Sequence, residues 1–367
     1  MAQSGSCVRF DGDTLRRFAS EILQSVGVSE NSSHQAADVL CVADEWGIRS
    51  HGLARLRAYC DAIVKGLVNA KAQPRITRDR FSTILIDGDN GLGIAVAAYA
   101  NEIAIQRAKE LGTAWVSVFN SNHFGIAGYY AIRGLKDDLI GVAMSNTPPL
   151  VSPTGGVGRR LGTNPLAVAF PTFAKPHVLV DMATSAASLG VVENAQRRGV
   201  KLPLPLIQDS LGKLSCDPQS LFSGGSLVPL GGPREAGGHK GYCLGAMVDL
   251  LCGVCSGAAW GPFVPPFLAG GSGDLSAQRS SGQGIGHLFG AIWIGAFEEP
   301  IVVRQRIDAW IEELQATSAV EEGARVMVPG EPEALCAADS RMNGTLLDAF
   351  VCDDLALLGR EYGVPFE

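Results

Sequence analysis

Apolar residues recur every three to four positions over 13–26, where Leu15, Phe18, Ile22 and Leu23 share one face. That period predicts an amphipathic helix. The polar run 29–34 is a helix start signal, so a second helix is expected to about residue 45. A third is expected over about 52–65, closed by Gly66. The chain then changes period. Short β-rich runs predict strands at 83–87, 113–119, 140–144, 166–170 and 177–180, and 286–294 reads the same way. Between them lie an alanine-rich helix over 94–111 and a shorter helix over 128–135. Strands alternating with helices predict an α/β architecture. The stretch 183–229 is rich in loop signals. The apolar run 241–257 is expected as a buried helix, and 262–284, rich in Gly, Ser and Pro, as a mobile loop. Helices over 301–316 and 346–358 are expected to close the chain.

Composition narrows this picture. At 367 residues the chain is long enough for a large core and more than one domain. It is 46% hydrophobic and 18% charged, with net charge −7 and no basic stripe, so nucleic acid and membrane are not expected partners. The first residues lack an apolar signal-peptide core, and 242–259 is broken by Asp249 and several glycines. Nine cysteines, an odd number, argue against a disulfide framework. Cys252 and Cys255 fall inside the apolar helix and are expected to be buried there as small apolar residues. A reducing, cytoplasmic location is expected, and no metal site.

The candidate chemistry sits on two of the six histidines. One stands in Ser50-His51-Gly52, followed by Arg55 and Tyr59. The other stands in Asn120-Ser121-Asn122-His123-Phe124-Gly125. A lone histidine in a helix is more often a plain surface or core residue. Two of them in polar, glycine-punctuated stretches are a stronger signal. Histidine exchanges protons near neutral pH. Arg55, one helical turn after His51, is expected to clamp a carboxylate beside it. With His51 at the start of the third helix, backbone N–H groups would favour the same anion.

The glycine-rich segments do not carry the Rossmann phosphate-loop fingerprint. Gly91-Leu92-Gly93, 155–165 and 282–286 all fail its spacing, and no Walker sequence is present. A bound dinucleotide would therefore need a different fold. Three other segments carry suitable groups. The run GGVGRRLGTNP ends in the polar pair Thr163-Asn164. Asp181, Thr184 and Ser185 cluster at a strand end. Gly237-Gly238-His239-Lys240 places a lysine before the apolar helix.

Ten ordered segments resemble the malate/L-lactate dehydrogenase type 2 family, the sulfolactate dehydrogenase-like oxidoreductases. They are RSHGLARLRAY, DGDNGLG, NSNHFGIAGYY, GTNPLAVAFP, VDMATS, LVPLGG, HKGYCLGAMVDLLCGVCSG, GQGIGHLF, VPGE and YGVPFE. The resemblance implies a non-Rossmann NAD(P)-binding α/β fold with a mixed sheet. It implies a helical domain made from residues 1–75 and completed by 300–367, around a cofactor-binding domain at 76–299. It implies NAD or NADP as cofactor, a small carboxylic acid as substrate and a homodimer. His51 and His123 match reaction-centre positions. Arg55 and Tyr59 match substrate contacts, with Ser50 and Thr163 expected beside them. Asp181, Met182, Ala183, Lys240, Gly330 and Glu331 match cofactor contacts, with Asn164 and His239 expected beside them. The chain departs from the family at Leu189, Gly190 and Val191, where an Arg-Gly-Lys element is usual.

The expected activity is hydride transfer between nicotinamide and C2 of a 2-hydroxy/2-oxo acid. Reduction of a cyclic imine carboxylate is the enzymatic alternative. A non-catalytic dinucleotide-binding homologue is the alternative from another class. Ser50 and His51 are adjacent and no nucleophile elbow is present, so a serine hydrolase is disfavoured.

Overall fold

The chain is described by a computed structural model over residues 7–266 and 282–366. Its first part is helical. Strand β1 (Cys7–Phe10) leads into α1 (Gly12–Ser25), where the Asp11 carboxylate accepts from Thr14 N at 2.9 Å as an N-cap. Ser29 caps α2 (Glu30–Glu45) in the same way. The third helix, α3 (Leu56–Val64), starts later than expected. Two 3₁₀ turns, Arg49–His51 and Leu53–Arg55, precede it. The cause is Asp44. Its buried carboxylate accepts from Leu53 N at 2.8 Å, and only glycine fits at 52, where a Cβ would lie 2.2 Å from that carboxylate. His51 therefore ends a turn and does not begin a helix.

The middle of the chain builds the main sheet. In chain order come β2 (Arg75–Arg80), β3 (Thr83–Asp87), α4 (Gly93–Leu111), β4 (Thr113–Ser121), α5 (Ala127–Ile132), β5 (Leu139–Ser145), β6 (Leu166–Phe170) and β7 (Val178–Met182). The stretch rich in loop signals, left without assigned elements, holds a small folded unit. It holds α6 (Leu189–Arg197), β8 (Ile207–Gln208), β9 (Leu214–Ser215), α7 (Gln219–Phe222) and β10 (Ser226–Leu227). Val192, Leu202, Ile207, Leu221 and Leu227 give it a core of its own. Next come α8 (Gly238–Asp249) and β11 (Ile285–Trp293). Most of the expected loop 262–284 lies outside the described residues.

The seven-stranded sheet has the order β2-β3-β4-β11-β5-β6-β7. Only β3 and β4 pair in parallel; the other neighbours are antiparallel. This is a mixed α/β architecture, and its sheet is unlike the parallel one of a Rossmann domain. Strand β11 comes from late in the chain and inserts between β4 and β5. The main core runs from this sheet through α4 and α5 into α1–α3.

The chain closes with α9 (Pro300–Gln315), α10 (Glu331–Asn343), β12 (Thr345–Asp348) and α11 (Ala349–Tyr362). β12 pairs antiparallel with β1, so the two ends of the chain meet. The helix expected from 346 thus begins as a strand.

The apolar run after Gly237 also differs from expectation. α8 passes into a π turn at Leu250–Val254. Cys243, Met247, Leu250 and Val254 lie on an open face at helical spacing, so the helix is not buried all round. Cys255 is exposed, whereas Cys252 is buried as expected. Its glycines face inward. A Cβ at Gly253 would lie 2.8 Å from Asn146 Nδ2, and one at Gly245 would lie 3.0 Å from Thr184 Oγ1.

Candidate active site

Strands β3 and β4 end side by side because they are parallel. The loop after β4 carries His123, and several bonds fix its path. Asn120 adopts φ 54° and donates from Nδ2 to Asp87 Oδ1 at 2.8 Å. Asn122 Nδ2 donates to the Gly91 carbonyl at 2.9 Å. Gly93 opens α4 against this loop, with no room for a side chain: a Cβ there would lie 2.0 Å from the Asn122 carbonyl oxygen.

The turn holding His51 comes from the helical part and meets this loop. The two imidazole rings stack with centroids 5.7 Å apart and planes 20° from parallel. Ser50 Oγ lies 2.8 Å from His51 Nδ1. Tyr59, on α3, places its hydroxyl 2.7 Å from His123 Nδ1. Arg55 donates from Nε to the Ser50 carbonyl at 2.7 Å. Ser50, His51, Arg55, Tyr59 and His123 therefore form one cluster, although they come from two parts of the chain.

Electrostatics keep this cluster neutral at the histidines. Burial, then the Arg55 charge, lowers His51 to about 4. Burial lowers His123 well below the ordinary histidine value, helped by His51, Arg55 and His287. Burial pushes the Tyr59 phenol well up. All three causes favour uncharged rings.

Sequence reasoning missed His287. It lies on β11 opposite Ser145 of β5 and is fully buried. Its Nδ1 is 2.9 Å from Ser145 Oγ, and its Nε2 is 2.9 Å from Ser121 Oγ. Its ring stacks on Phe124, centroids 4.9 Å apart and planes 3° from parallel. Burial lowers it to about 3. His287 thus props the residue next to His123. The only signal was a histidine between glycine and an apolar run, which reads as plain strand.

The small folded unit also reaches the cluster. Gly190, in the first turn of α6, lies so close to Ser50 that a Cβ on it would sit 3.1 Å from the Ser50 Cβ. The departing segment Leu189, Gly190 and Val191 is therefore at the site.

The residues expected at the cofactor gather elsewhere, around the end of β7 and the start of α8. Asp181 accepts from Gly128 N at 2.8 Å and so anchors the start of α5; burial raises it to about 6. Met182 and Ala183 follow it, half-buried. Thr163, expected at the substrate, lies here as well: its carbonyl accepts from Thr184 N at 2.9 Å, and its hydroxyl is 3.3 Å from that of Thr147. Asn164 is fully buried at φ 38°. Its side chain accepts from Thr147 N at 3.0 Å and donates to the Gly245 carbonyl at 2.9 Å. Asn164 thereby positions the loop against α8. His239 and Lys240 are exposed in the first turn of α8, which has no side-chain cap.

Gly330 and Glu331 sit on the outer side of β7. Gly330, at φ 91°, packs its backbone on Leu179, whose N donates to the Pro329 carbonyl at 3.0 Å. The Glu331 carboxylate pairs with Arg325 and accepts from Gln315 Nε2 and Val328 N, each at 3.1 Å. These bonds hold the turn before α10 and use both carboxylate oxygens.

Comparison with known proteins shows the family and the fold. The malate/L-lactate dehydrogenase family profile matches residues 10–356. The chain is 38% identical over 358 residues to malate dehydrogenase of Pyrococcus abyssi, covering 97% of this chain and 96% of that one. It is 36% identical over 347 residues to L-sulfolactate dehydrogenase of Methanothermobacter thermautotrophicus, covering 95% of each. The solved malate dehydrogenase of Pyrococcus horikoshii superposes with a TM-score of 0.88 at 36% identity, over 98% of this chain and 97% of that one. The chain belongs to the malate/L-lactate dehydrogenase family.

Proposed function

We propose that the chain exchanges a hydride between NAD or NADP and C2 of a small 2-hydroxy/2-oxo carboxylic acid of the malate, lactate or sulfolactate type. The observation that carries this reading is the stacked pair His51 and His123, each with a hydroxyl on Nδ1, beside Arg55. Arg55 spends its Nε on the Ser50 carbonyl, and its terminal nitrogens, with no hydrogen-bond partner among the described residues, would fork a carboxylate. The imidazoles face the carbon-bound oxygen and manage its proton.

The donor set at α8 fits a dinucleotide diphosphate. The helix begins after Gly237 without a side-chain cap; Gly238 N and Lys240 N donate to the Pro233 and Gly237 carbonyls, and the side chains of His239 and Lys240 stand exposed there as donors. Lys240 would supply charge, with Met182, Ala183 and Thr163 beside it at the end of β7. A nicotinamide held by these residues would supply the hydride acceptor or donor. In this reading 76–299 is the cofactor-binding domain of a non-Rossmann type, and 1–75 with 300–367 is the helical domain that brings Arg55. The cytoplasmic location expected from the sequence belongs to the same proposal.

Arg55→Lys tests the carboxylate clamp. Lysine keeps the charge but loses the planar fork. KM for the acid is expected to rise far more than KM for the dinucleotide. Steady-state kinetics with each substrate varied in turn gives both constants, and equal changes would make Arg55 a structural residue.

A homodimer is also proposed, with a second copy covering the open face of α8. Met247, Leu250 and Val254 are 38%, 53% and 48% exposed there, a continuous apolar stripe that favours burial. Light scattering of active enzyme at micromolar concentration is expected to give twice the 38.5 kDa chain mass. An active species with the mass of one chain rules the dimer out.

A further inference from the structure

The turn that carries His51 and the turn that carries Arg55 meet at one joint, and a buried carboxylate sits beneath it. The first turn closes with His51 N donating to the Ile48 carbonyl at 3.0 Å, and the second with Arg55 N donating to the Gly52 carbonyl at 2.9 Å. Gly52, between them, leaves the helical range at φ −86° and ψ −147°. The angle at this joint decides how Ser50 and His51 on one side face Arg55 on the other, and the Arg55 Nε bond to the Ser50 carbonyl closes across it. Asp44 enters the joint from α2. It is 5% exposed, and its Oδ2 accepts from Leu53 N at 2.8 Å. A Cβ on Gly52 would lie 2.2 Å from its carboxyl carbon and Oδ1 and 2.3 Å from Oδ2, so the carboxylate rests directly on the Gly52 backbone.

We propose that Asp44 is a positioning residue for the reaction: an ionised carboxylate that fixes the Gly52–Leu53 joint and so holds His51 and Arg55 on one substrate. This rests on the dehydrogenase reading given above. The Leu53 N–H needs an acceptor but not a charge, and an amide would serve it without placing an ion in the core. The charge is a cost to the fold. Burial raises the Asp44 carboxyl to about 7, opposed by the Leu53 N–H bond and the Arg49 charge and helped by Asp348 and Glu45. Those charged groups face it from the first turn, from the end of β12 and from α2 itself. A carboxyl raised in the folded state contributes stability below its unfolded value and loses it as pH rises through about 7. What the ionised form gains is a charge-assisted bond, roughly twice as strong as a neutral one, at the point where both functional turns are joined.

Two consequences set this role apart from a plain structural one. In activity, the wild type and Asp44→Asn differ most where Asp44 is ionised. A protonated carboxyl and an amide are both neutral acceptors, so the two enzymes converge as pH falls below about 7. His51, lowered to about 4, stays neutral through that change and does not produce it. In stability the order runs the other way. The wild type loses stability relative to Asp44→Asn as pH rises toward about 7. A residue kept for stability alone would lose activity and stability together.

The test compares full-length wild type, Asp44→Asn and Asp44→Ala in urea unfolding and in reduction of oxaloacetate or pyruvate by NADH or NADPH, using the pair the wild type turns over fastest. Above pH 7, kcat/KM for the acid is expected to fall on the order of 10²-fold in Asp44→Ala and less in Asp44→Asn, with KM for the dinucleotide unchanged. The activity ratio of wild type to Asp44→Asn is expected to shrink from about pH 8 to pH 5, while Asp44→Asn gains in urea midpoint on the wild type as pH rises. An activity ratio or a midpoint difference that does not change with pH, or equal changes in both KM values, overturns the proposal. Gly52→Ala drives a Cβ into the same carboxylate, so it is expected to cost less in the Asp44→Ala background than in the wild type; additive losses count against the proposal. In the unliganded enzyme the ring-proton NMR signals of His51, assigned by their loss in His51→Gln, are expected to move in both Asp44→Asn and Gly52→Ala, and unmoved signals overturn the proposal. The NMR readout needs no turnover, so failure of the wild type to use any 2-oxo acid would sink the dehydrogenase reading and leave the positioning by Asp44 standing.

Discussion

Gly93→Ala is expected to lower both stability and kcat, although alanine is the better helix former. In a helix interior alanine is favoured over glycine by about 0.5–1 kcal/mol. Here that gain is outweighed. The new Cβ would lie 2.0 Å from the Asn122 carbonyl oxygen and 2.4 Å from the His123 carbonyl oxygen. Both are backbone atoms in a loop already bonded to Asn90, Gly91 and Asp87 through Asn122 and Asn120. The clash cannot be relieved by turning a side chain. Overpacking of this kind costs about 1–3 kcal/mol or more, so the net change is destabilising. The loop that moves is the one holding His123. A displacement near 1 Å at a reacting group costs on the order of 10²-fold in rate. Urea unfolding and steady-state kinetics on the same preparation check both parts. A variant as stable and active as the parent would show that the α4–loop contact does not fix the site.

His51→Ala is expected to lower kcat by about 10²–10⁴-fold, the usual contribution of a positioned acid–base group. Dinucleotide binding should survive. Its proposed contacts, Met182, Ala183 and Lys240, lie at the end of β7 and the start of α8, not on the Arg49–His51 turn. The fold should survive as well, because Asp44 holds the following turn through Leu53 N and not through His51.

Much of this architecture was legible in the sequence. α1, α2 and α4 carry helical periods and clear caps, and β3, β4, β6 and β7 are short apolar runs that fell within a few residues of their places. β2 was missed because all its positions, RITRDR, are exposed and no apolar alternation marks it. β8 to β10 are two residues each, too short to leave a pattern. β1 and β12 exist by pairing with each other across almost the whole chain.

The same division holds at the site. His51, His123, Arg55 and Tyr59 stood out by residue type and by their glycine-flanked setting, and the fold brings them together. What the sequence could not supply were long-range contacts. The break at Gly52 depends on Asp44, eight residues upstream and in another helix. The support from His287 depends on β11 entering the sheet between β4 and β5. The contact of Gly190 with Ser50 depends on how the small folded unit docks. Asn164 stood out as part of a polar loop, and its bonds to Thr147 N and the Gly245 carbonyl are long-range contacts of the same kind.

The most direct test of this account is turnover of NADH and NADPH with a panel of 2-oxo acids by the wild-type chain and by His51→Ala, followed through dinucleotide fluorescence. The account predicts that the wild type binds the dinucleotide and consumes it with at least one acid, and that His51→Ala binds it equally but consumes it orders of magnitude more slowly. No consumption by the wild type with any acid, or equal turnover by His51→Ala, would contradict it.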